Sequence, residues 1–174
     1  MRQHKGSIVE TSALAAGLPP EMRVLNARPL LVLALEVAAK PQVIGQTPGV
    51  DRRVAEVLGG RFDGERLKGK VLSGGSDWLG VRADGTWTLD VRLVLESDDG
   101  ALIGMTYRGL RHGPKEVIDA IARGEPVAPS SYYFRTAVFF ETAAAKYAWL
   151  NGIVAVGVGH RLPTGPVYQL FEVL

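Results

Sequence analysis

Cysteine is absent from the 174 residues, and histidine appears only three times. No disulfide framework and no thiolate nucleophile is therefore available to this chain. The histidines, His4, His112 and His160, are too far apart in sequence to form a ligand pair, and no metal site is expected. No apolar run approaches the ~20 residues of a membrane-crossing helix. The basic start Met1 to Lys5 is followed by an apolar stretch only from Ala13 to Leu18, after Glu10, so it does not read as a signal peptide. Cytoplasmic location, with no membrane association, is the default expectation. Walker and dinucleotide fingerprints are missing, and Ser73 to Trp78 lacks the closing glycine of a nucleophile elbow. No cofactor is expected. Lysine and arginine total 20 against 18 acidic residues, and this near balance gives no reason to expect a nucleic-acid partner.

What is abundant is glycine, 21 residues of it, within a chain that is 47% hydrophobic and 22% charged. That is the make-up of one folded domain with many tight turns. Asp63-Gly64, Asp84-Gly85 and Asp99-Gly100 stand between apolar or alternating runs, a strong hairpin signal. Strands are predicted at 29–38, 50–62, 67–72, 77–83, 86–97, 101–109, 132–142, 151–159 and 166–173. Eight or nine short strands with short connections predict a mainly β fold closed into an antiparallel barrel or folded as a two-sheet sandwich. One helix is expected over Lys115 to Arg123, stopped by Gly124, and a short helical turn over Ala143 to Trp149. Glu125 to Ser131 reads as a loop over one end of the barrel, and Gly74-Gly75 as a bend that aims Asp77 and Trp78. Residues 1–27 are expected to form an N-terminal arm and 28–174 the single domain.

Alternation sorts the strand residues by face. Trp87, Leu89, Val91, Leu93 and Leu95 share one side, Asp90, Arg92 and Glu96 the other. In 101–109, Ile103, Met105 and Tyr107 oppose Thr106 and Arg108; in 132–142, Tyr133, Arg135 and Glu141 oppose Tyr132, Phe134 and Phe140. The polar set is either a solvated outer face with surface ion pairs or the lining of a ligand cavity.

A resemblance bears on that choice. Val43-Ile44-Gly45, Gly59 to Gly64, Leu67-Lys68-Gly69, Gly74 to Trp78, Leu89 to Arg92, Tyr107-Arg108-Gly109, Phe140-Glu141-Thr142 and Tyr147 to Asn151 follow in the order seen in the DUF3237 family. The likeness spans about 28–174 and implies a closed antiparallel β-barrel of the allene-oxide-cyclase or lipocalin-like kind, commonly oligomeric, with no settled activity. It favours the lumen reading for Asp77, Asp90, Arg92, Tyr107, Glu141 and Asn151. On that reading the chain is a cofactor-free isomerase, cyclase or lyase acting on a small apolar molecule. Asp90 or Glu141 is cast as general base, Arg92 as the group that holds the carboxylate or an oxyanion, and Tyr107 as proton donor. Asp77, Trp78, Tyr133, Arg135, Phe140, Trp149 and Asn151 are expected to contact the ligand. A non-catalytic carrier or sensor using the same cavity is the alternative, and a filled barrel serving as an interaction module a third. The apolar C-terminal residues Leu170, Phe171, Val173 and Leu174 point to a homo-oligomer, a dimer above all.

Overall fold

A computed structural model describes residues 13–174. Of the expected arm, residues 1–12 lie outside the described residues, and the remainder contains a helical turn, α1 (Ala13–Ala16), and a 3-10 turn at Pro20–Arg23. The strands are β1 (Ala27–Val37), β2 (Gln42–Gln46), β3 (Asp51–Asp63), β4 (Lys68–Val71), β5 (Gly75–Val81), β6 (Trp87–Ser97), β7 (Leu102–His112), β8 (Tyr133–Glu141), β9 (Ala155–Leu162) and β10 (Gly165–Val173). Helix α2 (Lys115–Ala122) joins β7 to β8, and a 3-10 helix at Ala145–Gly152 joins β8 to β9. No helix among the described residues is long and apolar enough to cross a membrane.

Every strand pairing is antiparallel, and the ladder from β6 through β7, β8, β9 and β10 to β1 closes where β1 also pairs with β3. β4 and β5 together fill the gap between β3 and β6: both run antiparallel to β3 on the same edge, separated only by Leu72-Ser73-Gly74. They act as one bent strand. An eight-position closed barrel results, with β2 as an added strand on β3. Closure removes the exposed edges that a ten-stranded open sheet would carry.

The expected hairpins are present at all three Asp-Gly pairs, but for two reasons. Gly85 and Gly100 adopt φ of +82° and +84°, which a side chain disfavours. At Gly64 the constraint is space, since a Cβ would collide with the Leu30 carbonyl oxygen on β1. Strand β2 is not among the predicted elements; it pairs with β3 through an irregularity at Gly45, whose φ is +100°.

The two ends of the barrel differ. Leu31, Leu33, Phe62, Leu93, Leu95, Ile103, Met105, Phe140 and Leu170 fill one half, and Tyr147 and Leu150 of the 3-10 helix plug that end. Leu170, placed on an oligomer surface by sequence reasoning, is thus a core residue, 1% exposed. The other half is hollow. There α2 crosses the mouth with Ile118 and Ile121, and Val127 from the following loop packs on the core.

Candidate functional site

Register across the sheet fixes which polar groups enter the hollow half. Ala55, Asp77, Val91, Tyr107, Val138 and Ala155 are paired in series from β3 to β9, so they form one layer of inward-facing residues. Asp90 and Arg92 flank Val91, and strand alternation sends both outward. Sequence reasoning placed Asp90, Arg92 and Tyr107 around one ligand; Val91 pairing with Tyr107 makes that impossible.

The outward positions are plain in the surroundings. Asp90 has a 47% exposed side chain that meets Arg108 of β7 at 3.5 Å, while Arg92 is exposed. Glu141, Arg135 and Tyr133 project from the outer face of β8, with the Tyr133 ring stacked on His112 at 4.9 Å. Trp78 is 49% exposed on the outside of β5. Asn151 serves the backbone: its Oδ1 accepts the Thr142 N–H at 2.8 Å and its Nδ2 donates to the Thr142 carbonyl at 2.9 Å. Phe140 is buried at the filled end, and Trp149 lies there under the Arg66 guanidinium, 3.7 Å from the ring centroid. None of these residues lines the cavity. Of the residues singled out from sequence, Asp77 and Tyr107 do.

That cavity has a volume of about 290 Å³. Its walls are mostly apolar: Leu35, Val57, Leu79, Leu89, Phe134 and the α2 residues Ile118 and Ile121 among them. Among the described residues Asp77 is the one acid in the lining, which it shares with Arg53, Arg111 and Arg161. The bend at Leu72-Ser73-Gly74 lets β5 approach with Asp77 inward; its Oδ1 accepts the Asp90 N–H at 3.2 Å. Burial pushes the Asp77 carboxyl up to about 7, against a smaller opposing pull from that N–H and from Arg111 and Arg52. Deeper in, the Tyr107 hydroxyl donates to the Tyr168 hydroxyl at 3.1 Å, leaving the Tyr168 proton to offer elsewhere. Burial raises both phenols, so both stay protonated across neutral pH.

At the mouth Arg111 stacks on Trp87, 4.6 Å from the ring centroid, and lies 5.7 Å from the Phe134 centroid. Gly159 makes this possible, since a Cβ there would stand 2.7 Å from the Phe134 ring. Among the described residues no cluster of three metal-ligating side chains occurs.

Sequence reasoning missed Arg111, Arg161 and Tyr168. The first two lie just past the predicted ends of their strands, at 109 and 159; extending the alternation Ile103, Met105, Tyr107 by two steps reaches Arg111. Tyr168 was signalled by its alternation with Leu170 inside a predicted strand.

Comparison with known proteins agrees with this architecture. The chain is 39% identical over 135 residues to a UPF0311 protein of Clostridium acetobutylicum, covering 77% of this chain and 85% of the relative. A crystal structure of a conserved protein of unknown function from Rhodopseudomonas palustris superposes with a TM-score of 0.81 at 32% identity, covering 87% of this chain and 98% of that one. An enzyme from Penicillium herquei shares the fold, with a TM-score of 0.66 at 22% identity over 86% of this chain and 95% of its own. The model of the family described as protein of unknown function, DUF3237, matches residues 26–173, and the chain belongs to that family.

Proposed function

We propose that the barrel binds a small, largely apolar carbonyl compound in its hollow half and moves a proton on it without a cofactor. The observation that carries this reading is the placement of Asp77, the one carboxyl among the described residues of a largely apolar cavity, where burial pushes its pKa up to about 7. A base is most effective when its pKa lies near the working pH. Two strand spacings, about 10 Å at the backbone, separate Asp77 from Tyr107, which leaves room for a substrate between the carboxyl and the tyrosine pair.

In this arrangement the Asp77 carboxylate takes a proton from carbon next to the carbonyl. The electron pair of the broken C–H bond moves onto the carbonyl oxygen, where the Tyr168 hydroxyl donates a hydrogen bond. In a β,γ-unsaturated substrate that pair is shared with the double bond, and Asp77, now neutral, returns the proton to the γ carbon, which completes the isomerisation to the conjugated enone. Its neutral form is well tolerated because burial already disfavours the charge. The presence of an enzyme among proteins of this fold is compatible with such a role, but the reading rests on the cavity chemistry.

The test is deuterium uptake. Cyclic ketones and enones that raise the melting temperature of the protein are incubated with it in D2O and analysed by mass spectrometry. Wild type is expected to catalyse exchange of the α-protons, and Asp77→Asn to reduce the rate at least 100-fold while still binding. Below pH 7 the rate should rise about tenfold per pH unit as the carboxylate forms, then level off. Recovery of every bound compound unexchanged would identify a carrier and overturn the proposal, as would exchange by Asp77→Asn at the wild-type rate.

A further inference from the structure

Arg111 is a half-buried charge without a counter-ion. Its guanidinium lies at the mouth of the cavity against Trp87 and Phe134, and its Nε is closed to solvent with no hydrogen-bond partner. It forms no ion pair with any described carboxylate. A half-buried cation left in this state costs free energy unless something completes it. The neighbouring charges do not. Arg161 shares the lining and repels it, while Arg53 is bound to Asp51 at 2.7 Å. Asp77, the one acid among the described residues of the lining, attracts Arg111 but forms no ion pair with it, and one of its oxygens accepts the Asp90 N–H.

The count of charges therefore favours an anion, and the aromatic walls favour a flat one. We infer that Arg111, assisted by Arg161, forms an anion subsite at the cavity mouth for the carboxylate of a planar, otherwise apolar organic acid. The planar guanidinium offers a paired set of N–H donors suited to a carboxylate. Its stacking on Trp87 holds that plane fixed before the ligand arrives. Ile118 and Ile121 of α2, over the same mouth, would exclude water and strengthen the pairing. This inference deepens the proposed function by naming the substrate class, an apolar keto or enone acid, and rests on the same cavity being the ligand site.

The experiment uses two probes of nearly equal shape, 1-naphthoate and the neutral 1-naphthamide, titrated calorimetrically into the full-length protein at pH 8. Wild type is expected to bind naphthoate at least tenfold more tightly than naphthamide. Arg111→Gln should weaken naphthoate at least tenfold and change naphthamide by less than threefold, with Arg111→Lys between. Equal affinity of wild type for the two probes, binding of neither, or a preference that survives in Arg111→Gln would overturn the assignment. If Arg111→Gln fails to fold, the wild-type preference together with the Arg111→Lys titration decides. Asp77→Asn separates this inference from the proposed function. Naphthoate binding retained in that variant alongside unaltered deuterium exchange would defeat proton transfer by Asp77 and leave the anion subsite standing.

Discussion

Asp77 carries a liability that a purely structural residue would not need. Because its folded pKa of about 7 stands above the ordinary aspartate value of 3.8, the native state holds a proton more tightly than the unfolded chain. Stability contributed by this group is therefore full below about pH 4, falls as pH rises to about 7, and is flat above. Asp77→Asn keeps an oxygen for the Asp90 N–H and removes the charge. Its stability relative to wild type should be near zero at pH 4 and grow to as much as about 4 kcal/mol by pH 8, measured by urea unfolding across the pH range. A variant less stable than wild type at pH 8 would mean that the ionised carboxyl is well accommodated. The same residue scale explains why the sequence reading put Asp77 and Tyr107 in the cavity lining, where the structure has them, and put Asp90 and Arg92 there too, although they face outward. Alternation correctly grouped Asp90 with Arg92 and opposed them to Val91. It does not say which face is inside, and the polar face is the wet one whenever the opposite face reads Leu89, Val91, Leu93, Leu95, all buried here.

At the scale of the element, β9 is shaped by its neighbour. Gly157 and Gly159 face inward where Thr136 and Phe134 of β8 fill the space, so β9 contributes little side-chain bulk of its own at these positions. Gly159→Ala should force the Phe134 ring toward Tyr168, whose ring centroid is 5.3 Å away, and cost about 1–3 kcal/mol in urea unfolding. Adding Phe134→Leu, which vacates that ring, should recover a large part of the loss. Full additivity of the two costs would show that the glycine is not there for the ring. Most elements were legible because Asp-Gly turns and period-two alternation are local signals. β2 was not, since its pairing depends on β3 lying beside it, and strand ends were not, since nothing local marks where pairing stops. Those ends hold Arg111 and Arg161, so the least legible part of the fold contains two of the arginines that line the cavity.

For the molecule as a whole, closure of the barrel divides labour between its ends. The filled half supplies the hydrophobic stability that allows the hollow half to hold a half-buried acid, two buried tyrosines and an arginine without an ion-pair partner. Glycine abundance serves this closure directly at Gly60, whose φ of +146° and contact with the Ala34 carbonyl let β3 pair closely with β1. The absent cysteines and scattered histidines leave carboxylate, phenol and guanidinium as the polar chemistry of the cavity, and these are the groups that line it. Proton transfer in this cavity depends on the ionisation of one side chain. Carbon-13 NMR of the Asp77 carboxyl, assigned by comparison with Asp77→Asn and followed from pH 3 to pH 9, measures it directly. A midpoint near pH 7 is predicted; a midpoint near pH 4, where an ordinary solvated aspartate titrates, would rule out Asp77 as a base poised near neutrality.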